Sequence, residues 1–125
     1  MNSIASAGKK IAMMTANGFN EAEFITLQRE IMAQQAQARI ISSHNGVVYS
    51  DPKTGNGISY AVDSQLSETL AIDYDCLIVV GGSEHIYTLT KEPHAIRLIR
   101  AFLRETMPIL LIREASKLLD VIGDT

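Results

Sequence analysis

The sequence predicts a three-layer α/β domain on a mainly parallel, doubly wound sheet. Three observations lead there. The run Cys76-Leu77-Ile78-Val79-Val80 is apolar throughout, does not alternate, and stops at Gly81 and Gly82. A strand of that kind is buried on both faces, as in a parallel sheet covered by helices. Lys10–Ala16 and Ile109–Ile112 have the same character, and segments of helical periodicity lie between the runs.

The glycine pair lets the backbone turn sharply and lets something come close to it. In open α/β sheets, ligands sit outside the carboxyl ends of the strands. Gly81, Gly82 and Ser83 therefore mark the end of the molecule where a site belongs. Taken alone, the three residues read better as a plain strand-to-loop turn; their neighbours shift the reading.

In chain order, residues 1–8 read as a flexible leader and 9–125 as a single domain. After the first strand, Asn17-Gly18-Phe19-Asn20 is turn chemistry, with Asn20 as an N-cap. Glu21 and Glu23 fall in the first helical turn, where negative charge suits the helix dipole. Phe24, Leu27 and Ile31 repeat at helical spacing and should face the sheet. Ala38–Ser43 is a second strand, joined to the first by a right-handed crossover. Val47–Tyr49 and Ile58–Val62 flank turn signals at Asp51-Pro52 and Gly55-Asn56-Gly57, which predicts a β-hairpin excursion. Residues 63–70 hold a short helix. Pro93 opens a longer helix, with Ile96, Ile99 and Leu103 as its buried stripe and Arg97, Arg100 and Arg104 on a solvated face. Pro108 precedes the last strand, Arg113-Glu114 is a sharp junction, and a final helix begins at Ala115.

The bulk properties exclude several functions. A chain of 125 residues with 46% hydrophobic content suits one compact domain with a real core. A net charge of −3, without a basic arm, argues against a nucleic-acid binder. No segment has the length and apolarity of a signal peptide core or a membrane span. The single cysteine allows no intramolecular disulfide. The expectation is a soluble, cytoplasmic protein with no nucleic-acid or membrane partner.

Several specific chemistries lack the residues they require. A receiver domain needs acidic strand ends, where this chain has Thr15-Ala16-Asn17 and Val80-Gly81-Gly82. A dinucleotide or flavin site needs a glycine-rich loop after the first strand, and Asn17-Gly18-Phe19 offers one glycine. No G-x-S-x-G elbow is present. His44, His85 and His94 lack metal-ligand spacing and read as surface or loop histidines. Ser83-Glu84-His85 cannot form a triad, because adjacent side chains do not face one another. Neither a cofactor nor a metal is expected.

The chain resembles the ThiJ/PfpI superfamily of the class I glutamine amidotransferase-like, flavodoxin-like fold. Four segments carry the likeness: Lys9–Met14, Phe19-Asn20-Glu21-Ala22-Glu23-Phe24, Tyr74–Gly82 and Met107–Ile112. Each is weak alone; in this order they are specific for the fold, over residues 9–123. The resemblance implies a nucleophile elbow after the last of these strands, where family hydrolases and glyoxalases carry a cysteine, often followed by histidine and glycine. Here Arg113 takes the cysteine position, Glu114 the histidine and Ala115 the glycine. A guanidinium is permanently protonated and is no nucleophile. Cys76 lies inside a strand, distant along the chain, and reads as a small buried hydrophobe. Glu23 matches the family carboxylate that contacts the cysteine.

These departures resemble the C-terminal domain of large-subunit catalases, which also lacks the cysteine. The family continues past the elbow helix, so this chain reads as a shortened form of the domain. The resemblance implies a non-catalytic domain with a structural, regulatory or ligand-binding role, without catalytic residues. Its pocket candidates are Glu23, Gly81, Gly82, Ser83, Arg113 and Glu114, and a small anionic ligand is the expected guest. The alternative is a hydrolase or glyoxalase-like enzyme using Glu23 or Glu114 as acid or base, with Arg113 binding an anionic substrate. Family members are often dimers, and an uncovered Ile109–Ile112 edge would favour a homodimer. Arg113 and Glu23 are expected to meet as a two-pronged ion pair. Breaking it would cost about 3–5 kcal/mol if buried and about 0–1 kcal/mol if exposed.

Overall fold

A computed structural model describes residues 8–123; the predicted leader lies outside them apart from Gly8. Its central sheet has five parallel strands in the order β5-β2-β1-β6-β7. These are β1 Lys10–Met14, β2 Gln37–Ser42, β5 Ser64–Gln65, β6 Cys76–Val79 and β7 Ile109–Leu111. The helices are α1 Glu21–Ala33, α2 Ser83–Thr90, α3 Pro93–Arg104 and α4 Lys117–Ile122. A separate antiparallel hairpin pairs β3 Val47–Tyr49 with β4 Ser59–Ala61, as the turn signals predicted.

The three layers follow from the two-residue period of the strands. Ala12, Met14, Ile41, Leu77 and Val79 enter one core with residues of α2, α3 and α4. Their neighbours Met13, Ile40, Ile78 and Val80 point the other way, onto Phe24 and Ile31 of α1. Strands buried on both faces need apolar residues at every position, which is the pattern the sequence shows. Each large side chain buried in this way contributes about 1.5–3 kcal/mol.

Helix α1 is started by two local devices. The Asn20 side chain accepts the Glu23 N–H at 3.0 Å, as an N-cap does. Phe19, just before the cap, packs its ring 4.7 Å from that of Phe24, a hydrophobic staple. Tyr60 of the hairpin joins the same cluster, 4.8 Å from Phe24.

Three sequence expectations are corrected and a fourth is refined. His85, expected as a surface or loop histidine, is fully buried within α2, a helix to which no sequence signal pointed. The buried stripe of α3 is Ala95, Leu98, Ile99 and Phe102; Ile96 is only partly buried and Leu103 is exposed. The four recur at the i, i+3, i+4, i+7 spacing of a core-facing helix, one residue out of phase with the expected set. Arg97 is not simply solvated, because its Nη2 donates to the carbonyls of Leu66 and Thr69, both at 3.0 Å. The short helix expected within 63–70 is the 3-10 helix Leu66–Glu68, preceded by β5 and followed by a second 3-10 turn at Ala71–Asp73.

Glu21 has a role beyond the helix dipole. It is 4% exposed, and its carboxylate accepts the Ser50 hydroxyl and the N–H groups of Asn56, Gly57 and Ile58. A side chain at Gly55 would meet that carboxylate. The loop leading back to β4 is thus tied to the start of α1. The Asn56 N–H, chief among these donors, holds the Glu21 pKa below the ordinary carboxylate value, against the effect of burial.

Candidate functional site

The carboxyl ends of β1, β6 and β7 converge where the sequence placed the site. After β6 the chain turns through Gly81 and Gly82, the latter with φ of 126°. A Cβ on Gly82 would lie 3.0 Å from the Asn20 nitrogen and the Phe19 Cα, so glycine is required for this close approach. The turn is fastened by a reciprocal clasp. Asn20 N–H donates to Gly81 O at 2.9 Å, and Gly81 N–H donates to Glu23 Oε1 at 2.8 Å. In a capping box the third helical carboxylate would reach back to the cap N–H. Here that N–H is taken by Gly81, and Glu23 reaches the Gly81 N–H instead.

The opposite wall comes from the segment after β7. Arg113 has φ of 53°. Two other non-glycine residues among those described, Gln35 and Thr106, also have positive φ. Each follows a helix end and is explained by paired closing bonds, Ala36 N–H to Ile31 O with Gln35 N–H to Met32 O, and Met107 N–H to Phe102 O with Thr106 N–H to Leu103 O. Arg113 instead is the first residue of a 3-10 turn, Arg113–Ser116, that follows β7 and leads directly into α4. A sharp, strained strand-to-helix turn is the backbone of a nucleophile elbow. The backbone matches the elbow expected from sequence; the side chain it presents is a guanidinium.

Arg113 Nε lies 3.2 Å from Glu23 Oε2 and 3.6 Å from Glu114 Oε1. The expected pair therefore forms, through one nitrogen rather than a two-pronged fork. The burial considered for it is absent on the arginine side, which is 63% exposed, while Glu23 is 19% exposed. Glu114 turns inward and accepts the Gly82 N–H at 3.2 Å. Its pKa is held below the ordinary value, first by its own backbone N–H, then by Gly82 and Arg113, against burial.

Two successive amides at a glycine turn form a nest suited to an anion or a developing oxyanion. In this chain Glu23 occupies one amide and Glu114 the other, with Arg113 bridging the two carboxylates. Gly81 makes this convergence possible, because a Cβ there would run into Glu114 and lie 3.0 Å from Glu23 Oε1.

Of the six pocket candidates, five come together at this turn. Ser83 does not join the Glu23–Arg113 contact. It is exposed at the first position of α2 and lines a separate cleft of 240 Å³ with Tyr87, Glu114 and Lys117. On the other side, Ala22, Glu23, Thr26, Leu27 and Ile112 line an apolar groove of 300 Å³. Cys76 lies in β6, partly buried among the residues facing α1, and burial raises its thiol pKa. No group of three or more His, Cys, Asp or Glu among the described residues could hold a metal ion.

Sequence reasoning missed His85. Its Nδ1 accepts the Ala16 N–H at 2.9 Å and its Nε2 lies 2.9 Å from Val80 O. The ring thus links the chain leaving β1 to the chain leaving β6, directly beneath the glycine turn. Its only sequence signal was position, three residues beyond Gly82.

A parallel sheet with helices on both faces, and an elbow-type turn facing a diglycine turn at its carboxyl edge, defines a flavodoxin-like α/β domain of the elbow-bearing class. The chain belongs to the DJ-1/PfpI family, whose model matches residues 9–122. Among solved structures, it resembles a ThiJ/PfpI domain protein from Brachyspira murdochii with a TM-score of 0.82 and 18% identity, over 94% of this chain and 66% of that one. A DJ-1 superfamily protein from Salmonella typhimurium gives a TM-score of 0.78 and 23% identity, over 92% and 61%. A two-domain protein from Anabaena variabilis, with DJ-1/ThiJ/PfpI-like and ferritin-like domains, gives 0.73 and 17%, over 81% and 28%. The chain therefore spans no more than about two thirds of the length of these structures. No curated protein matches it by sequence.

Proposed function

We propose that this chain is a non-catalytic DJ-1/PfpI domain whose elbow has been converted from a reactive site into an internal ion cluster. Its role is then structural, regulatory or ligand-binding, and the setting we propose is cytoplasmic. One observation carries this reading: the amides of Gly81 and Gly82 are occupied by Glu23 and Glu114, with Arg113 rather than a nucleophile at the elbow. A hydrolase would need those amides free for a developing oxyanion. The nucleophile is missing as well, since the Cys76 thiol is held in its protonated form by burial and lies within a strand. The Anabaena neighbour supports a domain role of this kind, since it joins a DJ-1-like domain to a second domain.

The enzyme alternative, with a carboxylate as acid or base, has less support. A general acid working near neutral pH needs a raised pKa, whereas Glu114 is held low. Glu23 is engaged on both oxygens, by Gly81 and by Arg113. The test is turnover of methylglyoxal and of model peptides by the native chain, Cys76→Ser and Glu23→Gln. Background rates in all three are expected. Native turnover that disappears in either variant overturns the reading.

A further inference from the structure

A further concave feature lies at the opposite, amino-terminal end of the sheet. It is a groove of 570 Å³ between α3 and the turn that precedes β6. That volume falls in the range of small-molecule sites, roughly 300–1,000 Å³. We propose that this groove binds an amphipathic monocarboxylate, an apolar chain or ring bearing one carboxylate.

The helix supplies the charge. Arg97, Ala101 and Arg104 recur at i, i+4 and i+7, so they lie along one face of α3. The small side chain of Ala101 leaves a gap between two guanidinium groups. Arg97 is locked into the wall by its bonds to the carbonyls of Leu66 and Thr69. Arg104 stands at the rim, 70% exposed, and its contact with Glu105 is at the 4.0 Å limit between two exposed side chains. Such a pair is worth little and is easily exchanged for a better one.

The facing wall supplies the apolar half. Ile72 is 83% exposed and Leu70 is 55% exposed, both on the groove. Tyr74 and Met107, partly buried against the core, also line it. Two large aliphatic side chains open to water opposite a pair of arginines match a ligand with an apolar body and an anionic end. Two carboxylates, Asp75 and Glu105, line the groove as well, so the carboxylate of the ligand must take Arg104 from Glu105. Asp75 accepts the Lys10 N–H at 2.8 Å, and Glu105 is exposed beside Arg104. An arginine can take a carboxylate through two parallel bonds, which favours a carboxylate over other polar ends.

The test is a titration of the folded chain with octanoate, octylammonium and octan-1-ol, followed through backbone amide shifts. Octanoate is expected to give saturable shifts at residues 70–75 and 97–107 and none at Gly81 or Gly82. Octylammonium should give none, and octanol should bind at least about tenfold more weakly than octanoate. Arg104→Gln should weaken octanoate about tenfold. Ala101→Leu, which keeps a good helix former while filling the gap, should abolish the shifts without unfolding the chain. The proposal is overturned if octanoate gives no saturable shift in the native chain. It is equally overturned if all three probes bind alike, or if the shifts lie at the glycine turn.

Discussion

Arg113 places its Nε 3.2 Å from Oε2 of Glu23, while Oε1 of the same carboxylate takes the Gly81 N–H at 2.8 Å. One carboxylate therefore joins the elbow after β7 to the glycine turn after β6. The part-buried contact, on the backbone amide, contributes more than the guanidinium, because the arginine is 63% exposed and screened by solvent.

A double-mutant cycle with Arg113→Ala and Glu23→Gln should return a coupling energy of about 0–1 kcal/mol, the range for exposed pairs. Chemical denaturation of the four proteins measures it. A coupling near 3–5 kcal/mol would mean that the pair is desolvated in solution.

The buried imidazole of His85 gives stability a pH dependence. With Nδ1 accepting from Ala16, Nε2 must carry the proton and donate to Val80, so the neutral ring satisfies both partners. Burial pushes its pKa down from 6.5 to about 4, against the opposing pull of the Val80 carbonyl and the Glu114 charge. The unfolded chain then binds the extra proton first. The contribution of His85 is complete above pH 6.5 and is lost as pH falls from 6.5 to about 4. The loss amounts to about 3 kcal/mol. Urea unfolding across this window should show the decline in the native chain and a flatter profile in His85→Gln. Equal slopes would contradict the assignment. Glu21 and Glu114, both held below 4.5, add a separate loss at lower pH in both proteins.

Much of this arrangement was legible in the sequence. The unbroken apolar runs marked β1 and β6, because a strand covered on both faces has no polar position; the same kind of run marked β7, although there Leu110 stays exposed. Asn20 was read as a cap because its side-chain oxygen can take the Glu23 N–H, which it does. Helix α2 was not legible. It has eight residues, begins directly after Gly82 without a side-chain cap, and contains β-branched Ile86, Thr88 and Thr90. Its stability comes from packing Ile86 and Leu89 into the core, which no local pattern announces. The destinations of Glu21 and Glu114 were hidden for a similar reason. Both accept backbone N–H groups from segments distant in sequence, and such bonds depend on topology rather than residue type.

The open side of β7 leads to a prediction about assembly. It is an edge strand paired only with β6 among the described residues, and Leu110 is 44% exposed on it. An exposed apolar edge offers unpaired backbone groups to another chain. We expect a homodimer in which this edge is covered, and Leu110→Lys should shift it toward monomer. Light scattering over a dilution series checks this, and monomer at every concentration of the native chain would refute it.

The most direct test of the central claim, that the glycine turn is filled by the chain's own carboxylates, is a titration with acetate and inorganic phosphate while observing the Gly81 and Gly82 amides. The account predicts no saturable shift at either amide in the native chain, because Glu23 and Glu114 hold both donors. Saturable shifts at both amides in the native chain would contradict it and would return this turn to the role of an open anion site.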